Sequence, residues 1–198
     1  MRFVCGVDEA GRGPLAGPVY TAAVILGERG RAIVGITDSK KLTEAKRDRL
    51  AVEIKAHALA WAIVAIDVET IDRINILQAT LLGMHRAVSQ LDHARMQAVV
   101  IDGTQIPRDL RPWCEAHQIP LSALPKADAT VIEVGAASIL AKTARDAHML
   151  TLHDEFPHYG FAQHKGYGTA AHMTAINEHG PCSHHRKSFA PIAQWSLL

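Results

Sequence analysis

Phe3-Val4-Cys5-Gly6-Val7-Asp8-Glu9-Ala10-Gly11-Arg12-Gly13-Pro14 is the stretch on which the fold turns. Phe3 to Val7 is an apolar run with the length and composition of a buried strand, and it ends in two acids and a glycine-rich turn. Val19 to Leu26 is a second apolar strand, and two strands joined by a short link suggest a hairpin. Asp8 and Glu9 thus stand at the end of a strand where an uncompensated charge is expensive.

Outward from this hairpin, a helix is predicted from about Thr43 to Ala58 and a third strand from Trp61 to Val68. Ile74, Leu77, Leu81, Met84, Val88 and Leu91 recur at steps of three and four, which predicts a helix with one face in the core. Ala98 to Ile101 is a short apolar run closed by Asp102-Gly103, as for a central strand ending in a turn, and Ile119 to Leu124 is a fifth strand. After Asp128 a long helix is predicted to about His153, with Gly135, Ala136, Ala137, Ser138 and Ala141 as a small-residue surface able to pack closely on a sheet. Strands in a meander, then alternating with helices, give an α/β or α+β layered domain with a mixed sheet.

Composition narrows the class. The chain of 198 residues is 48% hydrophobic and 21% charged, the balance of a globular protein rather than a disordered one. At this length roughly 70% of the unfolded surface is buried on folding, so no staple is required. Cys5, Cys114 and Cys182 stand far apart without a CxxC pair, which favours reduced thiols and a cytoplasmic location. The opening residues are too soon interrupted by Asp8 and Glu9 for a signal peptide, and no apolar run approaches the roughly 18 residues of a membrane span. Lys plus Arg total 21 against 20 Asp plus Glu, so bulk charge points to no polyanion. From Phe156 onward the charged residues are Lys165, Arg186 and Lys187 against Glu178, with six histidines, so this tail could face phosphate.

Four acids occupy costly places: Asp8 and Glu9 at the end of strand one, Asp102 at the end of strand four, and Asp128 at a helix start. Neighbouring strand ends lie close, and carboxylates forced together repel unless a cation sits between them. Oxygen donors without Cys or His at ligand spacing suit Mg²⁺ or Mn²⁺ over Zn²⁺, and such ions leave positions open for phosphate oxygens. A pair of them roughly 4 Å apart can activate water and stabilise a leaving oxygen. Asp8 and Glu9 are consecutive, so a regular strand sends their side chains to opposite faces and a bend or bulge is expected there. Alone, each acid reads as a solvated surface charge, and Gly11 to Pro14 reads as a turn that fits neither the dinucleotide fingerprint nor the Walker loop.

Val7-Asp8-Glu9-Ala10-Gly11-Arg12-Gly13-Pro14-Leu15-Ala16-Gly17-Pro18-Val19 resembles the signature opening of ribonuclease H type 2. The likeness continues, in order, through Asp38-Ser39-Lys40-Lys41-Leu42, Ile74 to Thr80, Ile101-Asp102-Gly103, Lys126-Ala127-Asp128, Ala136 to Lys142, Lys165-Gly166-Tyr167-Gly168-Thr169 and His185-Arg186-Lys187-Ser188-Phe189. It implies one RNase H-like catalytic domain over residues 1–198. That domain has a five-stranded mixed sheet flanked by helices, and a helical C-terminal segment from about residue 156 borders the substrate groove.

The resemblance also implies that Asp8, Glu9, Asp102 and Asp128 are the catalytic quartet holding two Mg²⁺ or Mn²⁺ ions. Gly11, Arg12 and Gly13 resemble the element that touches the 2′-hydroxyl and adjoining phosphate, where absent side chains let backbone amides approach the sugar. Tyr167 resembles a junction-sensing tyrosine, whose ring lies on the sugar after the ribonucleotide. Lys40, Lys41, Arg186 and Lys187 look like backbone contacts that place the duplex without reading sequence. His184-His185 reads as surface or phosphate-adjacent rather than zinc-binding. The implied activity is endonucleolytic hydrolysis of RNA in RNA–DNA hybrids and nicking 5′ to single ribonucleotides in duplex DNA. The chain lacks the extra N-terminal domain of type 3 relatives and the long extension of subunit-assembling forms, so a monomer with no obligate protein subunit is expected. The alternatives are an inactive nucleic-acid-binding module of this fold and another metal-dependent nuclease on the same sheet.

Overall fold

The computed structural model describes residues 1–197; the expected domain runs one residue further, and Leu198 lies outside the described residues. β1 (Phe3–Ala10) lies at the centre of a five-stranded sheet with β2 (Val19–Ile25), β3 (Ala60–Ile66), β4 (Met96–Asp102) and β5 (Leu121–Leu124). The order is β3-β2-β1-β4-β5, with β1–β2 and β2–β3 antiparallel and β1–β4 and β4–β5 parallel. The expected hairpin and mixed sheet are both present.

The helices α1 (Gly27–Arg31), α2 (Glu44–His57), α3 (Val68–Ile74), α4 (Ile76–Ser89) and α5 (Leu110–Ala116) precede the long α6 (Ile132–Glu155). The C-terminal segment carries α7 (Phe161–His164), α8 (Ala170–His179) and α9 (Ala190–Ala193). The helix expected over Ile74 to Leu91 is α4, which starts at Ile76 and ends at Ser89, while Ile74 closes the preceding α3. Asp67 caps α3 by accepting from Thr70 N at 2.7 Å, and Asn75, at φ 67°, breaks the chain before capping α4 through Gln78 N at 3.0 Å. The cap at Asp67 also explains why β3 stops at Ile66 instead of reaching Val68.

Alternation along the central strands sorts the core into two layers. Cys5, Val7, Ala23, Ile25, Val99 and Ile101 join Met84, Ala87 and Val88 of α4 and Leu110 and Cys114 of α5 on one face. Ala22 and Val24 join Leu50 and Ile54 of α2 and Ala136, Ala137, Leu140 and Ala141 of α6 on the other. Gly6 explains how closely α6 lies on β1: a Cβ there would come within 2.2 Å of the Glu133 carbonyl carbon. The small-residue stripe of α6 serves the packing read from the sequence.

A third cluster ties the C-terminal segment to the end of α6 and to the loop after β1, joining Leu15 and Ala16 to Met149, Leu152, Tyr159, Phe161, Ile176 and Ile192. Backbone bonds stitch the same seam: Leu15 N to Gly166 O at 2.8 Å, Gly17 N to His184 O at 2.9 Å and Arg186 N to Leu15 O at 2.8 Å. His172 and His185 are fully buried here, so His185 is a core residue and not the surface residue expected. Burial lowers both imidazoles from the ordinary 6.5 to about 4, with their mutual repulsion adding to the effect at His185.

The folded state therefore keeps both rings neutral, and their contribution to stability is complete above pH 6.5 and is lost as pH falls toward 4. Buried Asp8 and half-buried Glu9 and Asp128, whose carboxyls are raised, act in the opposite sense, so a difference isolates the histidines. Between pH 6.5 and 4.5, urea unfolding of wild type should take up about one more proton than His185→Gln, a slope difference of about 1.4 kcal/mol per pH unit. Equal slopes would show that His185 titrates normally in the fold.

Candidate active site

β1 and β4 run parallel with Val7 paired to Ile101, so the next residue on each strand, Asp8 and Asp102, falls side by side at the carboxyl end of the sheet. Asp8 is 5% exposed, and its Oδ1 accepts from Glu9 N at 2.7 Å. Burial first, then the charges of Glu9 and Asp102, push its carboxyl well above the usual range, while the Ser138 hydroxyl eases it downward. Asp102 Oδ1 accepts from Ala127 N at 2.7 Å and Asp128 N at 3.5 Å. Those bonds draw a third chain segment to the strand end and set Asp128 beside the pair.

Asp128 lies in a 3-10 turn, Ala127–Ala129, and not at a helix start as expected, because α6 begins only at Ile132. Its carboxyl is raised by burial, then by Asp102 and by Asp38, against the opposing pull of Lys40. The bend expected at Asp8-Glu9 is absent. β1 stays in register with β2 through Asp8–Ala22, Glu9–Thr21 and Ala10–Tyr20, and its one irregularity lies between Phe3 and Val4 at the other end. Glu9, the penultimate residue of β1, instead meets Arg12 Nη1 at 3.3 Å. Burial raises the Glu9 carboxyl, Arg12 opposes that, and Asp102 adds to it, so Glu9 shares the electrostatic field of the group despite the straight strand.

Among the described residues no three His, Cys, Asp or Glu side chains converge tightly enough to hold a cation as they stand. Three of the four carboxylates have partners within the fold: Arg12 for Glu9, two backbone amides for Asp102, and its neighbour's amide for Asp8. The donor set, all carboxylate oxygens at one sheet end, fits a hard divalent cation.

The loop from Gly11 to Pro18 is held by two fully buried arginines. Arg186 donates from Nη2 to Gly11 O at 2.6 Å, from Nη1 to Arg12 O at 2.9 Å and from Nε to Gly17 O at 2.9 Å. Arg145 of α6 donates to Ala16 O at 3.2 Å and Pro18 O at 3.3 Å. Gly11, at φ 95°, has no room for a side chain, since a Cβ would lie 2.0 Å from Arg145 Nε. The expectation that Arg186 grips the duplex backbone is therefore corrected: at 0% exposure it is committed to loop carbonyls and braces the turn from behind. Capturing the Gly11 and Arg12 carbonyls from within points the amides on the same two peptides, those of Arg12 and Gly13, the opposite way.

A cavity of about 170 Å³ opens in front of this turn, lined by Glu9, Ala10, Gly11, Arg12, Gly13, Ser39, Lys40, Ser138, Lys142 and Tyr167. Tyr167 is 44% exposed, and its Cε1 lies 3.6 Å from where a Gly13 Cβ would stand. Lys40 enters through the turn Ser39–Lys41, which Asp38 caps and the Ser39–Ser138 hydroxyl pair fastens to α6 at 2.9 Å. Lys41 and Lys187 are exposed and outside the cavity; Lys187 N and Ser188 N are anchored on Asp72 at 3.0 and 2.9 Å.

Three α6 residues carry no site role in the sequence reading: Ser138 and Lys142 line the cavity, and Arg145 braces the loop behind it. Their signal is their spacing: Ser138, Lys142 and Arg145 recur at four and three residues on the helix side that carries the small-residue stripe.

A five-stranded mixed sheet with carboxylates at the carboxyl ends of two parallel central strands, and with Glu9 lining a cationic, glycine-lined cavity beside them, has the architecture of the RNase H-like class. The family model described as Ribonuclease HII matches residues 5–192. A Ribonuclease HII of Dechloromonas aromatica is 54% identical, with 99% of this chain and 95% of that one covered. The ribonuclease H2 structure from Pyrococcus horikoshii superposes with a TM-score of 0.80 at 24% identity, covering 98% of this chain and 97% of that one. Bst-RNase HIII in complex with Mn²⁺ shares the fold at a TM-score of 0.72 and 20% identity, covering 99% of this chain and 70% of that one. The chain belongs to the ribonuclease HII family, nucleases that hydrolyse the RNA of RNA–DNA hybrids.

Repulsion at Asp8 predicts a trade between stability and activity. Asp8→Asn should abolish hydrolysis while raising the Tm of the metal-free protein by a few degrees, about 2–4 °C for each kcal/mol recovered in a chain of this size. Calorimetry in chelator reads it, and a lowered Tm would show that the Asp8 charge is compensated in the fold.

Proposed function

We propose that this protein nicks duplexes at ribonucleotides with the help of two Mg²⁺ or Mn²⁺ ions, Asp8 and Asp102 lying central to the pair and Glu9 and Asp128 completing it. The observation that carries this reading is the shared cavity: Glu9, the Gly11-Arg12-Gly13 turn and Tyr167 line one space at the end of β1. A Mn²⁺ complex of a type 3 relative with the same fold supports the choice of ion. When bound, such ions supply Lewis acidity toward phosphate oxygens and lower the pKa of a coordinated water.

The chain's own residues supply the selectivity. The outward amides of Arg12 and Gly13 and the ring of Tyr167 meet the ribose, whose 2′-hydroxyl both donates and accepts and separates RNA from DNA. Arg12, Lys40 and Lys142 surround the cavity with positive charge suited to phosphate. Lys41 and Lys187 hold the duplex backbone farther out, and the segment from about residue 156 borders the groove. Water oxygen bonds to phosphorus on the 5′ side of the ribose as the P–O3′ bond breaks, leaving a 3′-hydroxyl and a 5′-phosphate. The unit acts as one monomeric catalytic domain in the cytoplasm on hybrids and on DNA duplexes containing ribonucleotides. Among the described residues no helix is long and apolar enough to cross a membrane.

The test is an end-labelled DNA duplex with one internal ribonucleotide, incubated with Mg²⁺, with chelator, and with Asp102→Asn. One metal-dependent nick 5′ to the ribose, lost in the variant, is expected. Equal cutting of an all-DNA duplex would overturn ribose recognition.

A further inference from the structure

Behind Tyr167 lies a chain of polar links that the catalytic reading leaves unused. The Tyr167 carbonyl is 2.9 Å from His172 Nδ1, His172 Nε2 is 3.0 Å from His185 Nε2, and His185 Nδ1 is 2.9 Å from Cys182 N. A carbonyl only accepts, so His172 carries its proton on Nδ1. Its Nε2 is then a bare lone pair, and His185 must donate to it from Nε2. That leaves His185 Nδ1 to accept from the Cys182 amide, a donor. One tautomeric arrangement satisfies every link, and an added proton on either ring would set two donors face to face.

The rings have no freedom to turn away. Both are fully buried, His164 stacks on His172 at 4.4 Å, Phe161 meets it edge-on at 5.4 Å, and Tyr159 meets His185 edge-on at 4.9 Å. At Tyr167 the chain ends on a strained turn, with Lys165 at φ 50° and Gly166 at φ 82°. Tyr167 N donates to His164 O at 2.9 Å, and Thr169 N donates to Tyr167 O at 2.8 Å. His172 supplies the second donor to that carbonyl, fixing the peptide plane from which the exposed ring is directed over Gly13.

We infer that His172, oriented by His185, is a positioning residue that sets the Tyr167 ring and thereby the preference for an isolated ribonucleotide over a uniform hybrid. This rests on the reading of Tyr167 as the ribose sensor. The low basicity that burial gives both rings keeps the single tautomeric arrangement intact at neutral pH.

Asparagine and glutamine separate a positioning role from mere filling, because the Asn amide nitrogen occupies the place of imidazole Nδ1 and the Gln amide nitrogen that of Nε2. The readout is the ratio of kcat/KM on a single-ribonucleotide duplex to that on a uniform RNA–DNA hybrid. His172→Gln should lower the ratio roughly tenfold, about the worth of one hydrogen bond, whereas His172→Asn should stay within about twofold of wild type. Equal ratios for the two variants, with Tyr167→Ala lowering the ratio, would overturn the inference alone. An unchanged ratio in Tyr167→Ala would overturn the sensor reading and the inference with it. Should His172→Gln not fold, side-chain ¹⁵N NMR of wild type decides: Nδ1–H on His172 is expected, and Nε2–H would overturn the arrangement.

Discussion

Two guanidinium groups sealed from water, with backbone carbonyls as their hydrogen-bond acceptors, are what the rest of the site leans on. Arg145 arrives from α6 and Arg186 from the C-terminal segment, and between them they take up the carbonyls of Gly11, Arg12, Ala16, Gly17 and Pro18. Burying a cation is expensive unless its donors are satisfied, and every guanidinium nitrogen of the two except Arg145 Nη1 has a loop carbonyl, so the loop cannot relax without exposing that penalty. The backbone after β1 is therefore fixed from behind, and its amides are left for whatever occupies the cavity. Burial and mutual repulsion lower the basicity of Arg186 to about 9, so it remains the charged partner at neutral pH and adds positive potential behind the turn.

The same strand that feeds this loop carries the opposing charge. β1 delivers Asp8 and Glu9, β4 delivers Asp102, and Asp102 recruits the turn holding Asp128 through two amide bonds. Packing of α6 on Gly6 fixes the depth at which Asp8 is buried. The carboxylates are thus attached to the central strands of the sheet, while Arg12, Lys40 and Tyr167, the groups proposed to meet substrate, come from turns tied to it by buried arginines, histidines and serine hydroxyls. This division of labour places charge-binding groups on the scaffold and recognition groups on braced loops.

Much of this was legible in the chain itself. Short apolar runs located the strands and three-to-four spacing the amphipathic helix, and Asp8, Glu9 and Asp102 stood out because they close apolar runs. What stayed hidden depends on distant partners. Nothing near Arg186 reveals that its acceptors lie about 170 positions earlier, so it read as a surface cation. His185 was misplaced for the same reason, its partner being the His172 ring on α8. That Ile74 closes α3 and does not open α4 follows from Asn75 adopting a left-handed backbone, which apolar periodicity does not register. The straight course of β1 through Glu9 was missed because a long side chain at a strand end can meet its neighbours without a bulge.

The central claim is that carboxylates from three separate chain segments act as one cation-binding group. Calorimetric titration of Mn²⁺ into the folded wild-type protein and into Asp8→Asn and Asp102→Asn tests it most directly. The account predicts saturable binding in wild type that is lost in both variants, since each removes a ligand from the same group. Undiminished binding in either variant would contradict it.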